Sequence, residues 1–368
     1  MKPHLARRIE SLQHNMRIAE LDAIVFTDRE NLIYYTGAVE IECMAVIIPA
    51  SGEAVICCLW LDAPYVRECS GSGTIKSYRF PSSNIGSCIV TTLRSMQLPR
   101  MRIGFHKYFI EFAVFDALRS AFPSLEYLAA MDLTYKVRSV KDEMELTLIA
   151  KACSHLEVGM QAAYACIRPG ITELDVLAEA DYAMRKAGSE GSTFRMQVLT
   201  KSKQLRAHPF AGNKVIENNQ AVVIHLGASN GGYTGKICRT VFLGDVPEET
   251  RRIYTVLQTA QEIAVRALRP GATSARIYDI VNACIQKQGY GGRFLDIIGH
   301  GVGIRQSEFY PVIGKGIDHV IKENMVVDLL LPTIYVPEAG GPRITDMLLV
   351  GSEETTFMTR FPREIFDK

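Results

Sequence analysis

Five side chains in this 368-residue sequence are of types that do acid–base chemistry and stand in unusual company. His225 and Lys236 lie eleven residues apart within Val222–Gly244, which reads VVIHLGASNGGYTGKICRTVFLG. A charged lysine in so apolar a run is costly unless it has a partner or a task. Desolvation lowers the pKa of such a lysine, which would let it act as base or nucleophile. His300 sits between glycines in Ile298-Gly299-His300-Gly301, where the backbone packs closely and the imidazole is exposed. His208 precedes Pro209 in an expected loop, and Glu308 follows Ser307. Imidazoles and a carboxylate converging on one cavity would serve general acid–base catalysis. His208, His225, His300 and Glu308 are also ligand types that suit a single zinc ion, a use against which the charge of Lys236 counts.

The elements that must hold these residues follow from pattern. VVIHLG and KICRTVFLG read as two strands, and Asn230-Gly231-Gly232 between them is a strong turn signal. This length predicts two domains. Residues 5–20 have near-helical apolar spacing, Ala23–Phe26 reads as a short buried strand, and alternation continues to about Leu133. That describes a small α/β domain with a mixed sheet, over 1–135, with no site that its own pattern names. Lys136–Glu143 reads as a charged bridge, with Asp142 placed to cap a long amphipathic helix, so the second domain is expected over 136–368.

The second domain repeats itself. Ile167-Arg-Pro-Gly-Ile-Thr172 returns 101 residues later as Leu268-Arg-Pro-Gly-Ala-Thr273. In both, Pro-Gly turns the chain after one helix and Thr is placed to cap the next, which suggests a pseudo-two-fold α/β domain.

Composition narrows the partners. The formal charge is +1, from 41 basic and 40 acidic residues, which gives no electrostatic reason to expect nucleic acid or an anionic membrane. No apolar run approaches the length that spans a bilayer, and the N-terminus lacks the apolar core of a secretion signal. Nine cysteines without CxxC spacing read as reduced, mostly buried thiols of a cytoplasmic protein.

These residues together resemble the pita-bread superfamily of creatinase, Xaa-Pro aminopeptidases and prolidases. The likeness is carried by NLIYYTG in the first domain and by RPGITELD, GGYTGKICRTVFLG, GHGVGI, LPTIY and RITDMLLV in the second. It implies a creatinase-type N-terminal domain, a duplicated C-terminal domain and a homodimer. The peptidases of this superfamily hold two metals with two Asp, one His and two Glu. On this sequence those positions carry His225, Lys236, His300, Leu331 and Thr345, so four ligands are gone, all of them carboxylates. Two dications beside Lys236 would meet a like charge, at ~4 kcal/mol of repulsion per unit charge at 4 Å and an effective dielectric near 20. The expectation is therefore a site with neither metal nor cofactor, in which the lysine supplies the positive charge.

The resemblance also implies roles. His208 matches the position of creatinase's catalytic histidine. A metal-independent hydrolase of a small polar C–N substrate, of creatinase type, would use His208, Glu308 and Lys236 in catalysis. His225, His300, Arg239, Tyr233 and Thr345 would bind the substrate, with Arg239 and Asp346 also bracing the site and Tyr233 and Tyr335 forming pocket wall. Two cationic groups in the cavity point to a carboxylate-bearing molecule. Two alternatives stand beside this one: an inactive homologue that binds a small molecule or a partner, and an Xaa-Pro-type hydrolase with a re-tooled mononuclear metal site.

Overall fold

In this computed structural model, residues 1–71, 73–106, 110–206, 209–329 and 333–368 are described. They divide into two units, Met1–Arg138 and Ser139–Lys368. The division falls later than the 135/136 boundary expected from sequence, because Lys136–Ser139 is not a linker but the last turn of a helix.

In the first unit the apolar runs become a six-stranded sheet. The strands are β1 (Ala23–Phe26), β2 (Ala45–Pro49), β3 (Val55–Leu59), β4 (Thr74–Tyr78), β5 (Arg102–Phe105) and β6 (Glu126–Ala129), in the order β4-β3-β2-β1-β5-β6. The sheet is mixed: β1 pairs antiparallel with β2 and parallel with β5. Helices α1 (Pro3–Ile18), α2 (Arg29–Thr36), α3 (Ala63–Ser70), α4 (Ile85–Met96), α5 (Phe112–Ala121) and α6 (Met131–Ser139) complete the unit. Val25, Ile47 and Cys57 of the sheet share a core with Ile89 and Leu93 of α4 and Leu118 of α5.

The second unit opens with α7 (Glu143–Cys166), capped by Asp142, whose side chain accepts from Glu145 N while Glu145 accepts from Asp142 N. Next come α8 (Glu173–Lys186), β7 (Gln197–Leu199), β8 (Gln220–Asn230) and β9 (Tyr233–Leu243). The remaining elements are α9 (Glu248–Ala267), α10 (Ser274–Lys287), β10 (Ile297–Gly301), β11 (Glu308–Gly314), β12 (Val326–Leu329), β13 (Asp346–Val350), β14 (Thr355–Phe357) and β15 (Phe366–Asp367). One sheet runs β15-β9-β8-β7 and the other β11-β10-β12-β13-β14.

The repeat read from sequence is physical. Ile167 and Leu268 end α7 and α9, while Thr172 and Thr273 cap α8 and α10. In each half the glycine of the Pro-Gly turn donates to a later strand-like residue, Gly170 N to Ile216 O and Gly271 N to Ile321 O, both at 2.9 Å. Each half has its own apolar core, one around Leu156, Val176 and Ile237, the other around Leu257, Ile277 and Val327.

The β8–β9 hairpin is paired in register from Gln220↔Leu243 to Asn230↔Tyr233. Gly231 and Gly232 form the two-residue turn with φ of +57° and +77°, values that L side chains seldom adopt. The Glu190 carboxylate accepts from both of their amides, at 2.6 and 2.9 Å. Alternation then sorts the hairpin's side chains. Leu226, Ala228, Ile237 and Val241 join the core with α7, whereas His225, Gly227, Lys236 and Cys238 occupy the opposite face.

Among the described residues no helix is long and apolar enough to cross a membrane. All nine cysteines are free thiols. Cys57, Cys58, Cys153 and Cys238 are buried, fewer than the expected majority.

Candidate active site

The face of the hairpin turned away from α7 carries a row of polar side chains. Gln197 on β7 is paired with His225 on β8, His225 with Cys238 on β9, and Cys238 with Thr345 just before β13. Directly opposed residues in antiparallel strands point to the same side, so these four share one face with Lys236, one step along. Gly227 lies opposite Lys236 and has no room for a side chain, since a Cβ there would stand 2.4 Å from Phe194 Cε1. Phe194 instead packs on His225, with ring centroids 4.8 Å apart.

The second sheet brings up the other wall. β10 is bulged on either side of His300. A Cβ on Gly299 would lie 2.3 Å from Asp328 O, so only glycine lets β10 approach β12 this closely. The approach puts His300 N within 2.6 Å of Asp328 Oδ1, and the other carboxylate oxygen lies 2.7 Å from Lys236 Nζ. That second contact is a charge contact rather than an aligned hydrogen bond, because Oδ2 has no donor in line with it. Lys236 also donates to Ser307 Oγ at 3.4 Å. Lys236 is 2 % exposed and Asp328 0 %, so the pair is desolvated.

This pair corrects one expectation. Lys236 is not a bare cation but is neutralised by Asp328, to which sequence reading gave no role. Its signal was present: a lone carboxylate in the run Met325-Val-Val-Asp328-Leu is as costly as a lone lysine in Val222–Gly244, and the two answer each other.

His225 and His300 are both held neutral. Burial pushes His225 down to about 3, and Lys236 and Arg343 push the same way. Its Nε2 is buried without a hydrogen-bond partner. Burial also lowers His300, helped by Lys236 and opposed by Asp328 and by a hydrogen bond to the Glu308 main chain. Its Nδ1 has no partner among the described residues. A half-buried neutral imidazole whose Nδ1 has no partner among the described residues can accept a proton at neutral pH. Thr345 Oγ1 and Gln197 Oε1 are likewise buried without partners.

Two residues expected at the substrate lie elsewhere. Arg239 alternates to the α7 side, paired with Ile224, and spends all five donors. They go to Pro362 O, Cys238 O, Thr345 O, Phe361 O and, at 2.6 Å, Asp346 Oδ1. It braces the junction of the two sheets and has nothing left for a ligand. Tyr233 is on the same α7 side and donates to Glu145 Oε1 at 3.1 Å. Glu308 is buried on β11, and its Oε1 accepts from Arg305 N at 3.4 Å. Its link to His300 runs through the main chain. His208 and Leu331 lie outside the described residues. Sequence reading also gave no role to Gln197, Phe194 and Arg343. Arg343, quoted only within RITDMLLV, is 6 % exposed, and its Nη2 donates to Gln204 O at 2.7 Å.

Comparison with known proteins places this architecture. Residues 147–352, more than half of the chain, match Metallopeptidase family M24, and residues 8–140 match the Creatinase/Prolidase N-terminal domain. The chain belongs to metallopeptidase family M24. It is 34% identical over 240 residues to the Xaa-Pro dipeptidase of Pyrococcus furiosus, covering 65% of this chain and 68% of that one. It is 27% identical over 361 residues to YkvY of Bacillus subtilis, a protein named provisionally as a dipeptidase, covering 97% and 99%. The solved structure of an Xaa-Pro dipeptidase from Bacillus anthracis superposes with a TM-score of 0.91 at 24% identity, covering 99% and 100%. At that identity the likeness speaks for the fold.

The family's name implies metal, and the described residues do not fit a dinuclear centre. No group of three or more His, Cys, Asp or Glu among them is arranged to hold an ion. The one carboxylate on this face described at close range to His300, Asp328, is committed to Lys236, whose ammonium would sit against any cation placed there.

Proposed function

We infer that the chain hydrolyses an amide-type C–N bond in a small polar substrate, using its own side chains where peptidase relatives use two metals. The observation that carries this reading is the buried Lys236–Asp328 pair set against the neutral imidazole of His300. In the reaction a water gives its proton to His300 Nδ1 while its oxygen bonds to the substrate carbonyl carbon. The oxyanion that develops is met by the Lys236 ammonium. The C–N bond then breaks, and the proton passes from His300 to the leaving nitrogen. His208 is the second candidate for that transfer. Glu308 orients His300 through its main-chain contact. A small-molecule substrate, rather than a nucleic acid or membrane, and a homodimeric assembly belong to the same reading. Light scattering tests the assembly.

A second reading rests on the 34% identity to an Xaa-Pro dipeptidase: peptide cleavage of that type, with a single metal on His208, His225, His300 and Glu308. One experiment separates the two. The full chain, stripped with a chelator, is assayed by mass spectrometry on Xaa-Pro dipeptides and on N-acyl amino acids, with and without added manganese or cobalt. Turnover that survives the chelator and falls about a hundredfold or more in His300→Ala supports the first reading. Cleavage of Xaa-Pro dipeptides only after metal addition overturns it in favour of the second.

A further inference from the structure

Two buried cations of the site are each matched by a carboxylate. Lys236 is neutralised by Asp328 and Arg239 by Asp346, both within 2.7 Å. Arg343 has no such partner. It is 6 % exposed, forms no ion pair, and its Nε is buried without an acceptor. None of the residues outside the description is an Asp or Glu, so no carboxylate of theirs answers it. A buried guanidinium without a counter-charge is unfavourable, and an anion bound beside it would supply the charge it lacks.

Its neighbours share its condition. Thr240 Oγ1 accepts from Arg343 N at 2.8 Å and donates to Arg343 O, which fixes this segment against β9. Two residues on, Thr345 pairs with Cys238, which in turn pairs with His225. Thr345 Oγ1, His225 Nε2 and Arg343 Nε are therefore three buried polar atoms on one patch, each without a hydrogen-bond partner. The charge of Arg343 reaches both His225 and Cys238.

We propose that Arg343, Thr345 and His225 form a subsite for a carboxylate, and that the substrate is a carboxylate-bearing molecule such as an N-acyl amino acid or a dipeptide. The guanidinium Nε–H and the Thr345 hydroxyl donate to the carboxylate oxygens, and His225 donates from Nε2 in that tautomer. The group binds as an anion, and no covalent step is involved. The inference rests on the proposed function for the scissile bond beside the carboxylate, but binding is measured without turnover.

The test is thermal denaturation and calorimetry of the full chain with matched probes: N-acetylglycine against N-acetylglycinamide, and glycylproline against glycylprolinamide. The acids are expected to raise the melting temperature and the amides to do so roughly tenfold less effectively by concentration. Arg343→Gln is expected to abolish the difference between acid and amide, whatever the change in unliganded melting temperature from losing both the charge and the bond to Gln204 O. Thr345→Val, close in shape, is expected to weaken the acids alone. Equal response to acid and amide in wild type overturns the proposal, as does an Arg343→Gln variant that still discriminates. If Arg343→Gln does not fold, the wild-type pairs and Thr345→Val decide. Discrimination without hydrolysis would remove the hydrolase reading and leave the subsite intact. Hydrolysis with no discrimination would do the reverse.

Discussion

Asp328 Oδ2 stands 2.7 Å from Lys236 Nζ, while Asp328 Oδ1 accepts from the His300 amide at 2.6 Å. One carboxylate thus serves two strands from different sheets, and fixes the ammonium and the imidazole relative to each other. Removing it leaves a buried charge with no counter-charge. Asp328→Asn is expected to cost about 3–5 kcal/mol in chemical denaturation. The double variant Lys236→Met/Asp328→Leu is expected to recover most of that. A double variant as unstable as the single one would show that the pair's charges are not what Asp328 supplies.

His225 makes stability depend on pH. Its imidazole titrates at about 3 in the folded chain against 6.5 when free, so the unfolded chain binds the proton more strongly between those values. Its contribution is full above about 6.5 and is lost as pH falls toward 3. His225→Gln is expected to flatten the fall of melting temperature with acid across this window. An unchanged acid slope would place the titrating group elsewhere.

Gly299 tests the closeness of the two walls. A Cβ there would meet Asp328 O at 2.3 Å, and backbone cannot swing aside as a side chain can. Gly299→Ala is expected to destabilise by about 1–3 kcal/mol. It should lower kcat as well, because β10 must withdraw and carry His300 with it. A fully active, fully stable variant would contradict this geometry.

Arg239 is expected to behave as structure rather than as ligand contact. Lysine cannot reproduce its five-point bonding, so Arg239→Lys should lose roughly 2–4 kcal/mol of stability. The KM of the folded fraction should not move. A raised KM would return Arg239 to the substrate.

Local pattern made much of this legible. Asn230-Gly231-Gly232 announced the hairpin, and Thr172 and Thr273 announced two helix starts that the structure caps as expected. The unusual types at His225, Lys236 and His300 singled out residues that the fold sets on two neighbouring sheets. Arg239 and Tyr233 were misplaced although the period-2 rule was available: both are an odd number of residues from Lys236 and must face away from it. Asp328 and Arg343 escaped for a different reason. Their meaning lies in contacts with residues far away in the chain, and no local spacing encodes which strands will meet.

The repeated Arg-Pro-Gly-x-Thr link divides the second unit into two similar halves, and Lys236 belongs to the first while Asp328 belongs to the second. Neither half supplies its own counter-charge here: the ammonium comes from β9 and the carboxylate from β12. The pair is complete only when both halves are in place, which ties the stability of each half to the presence of the other.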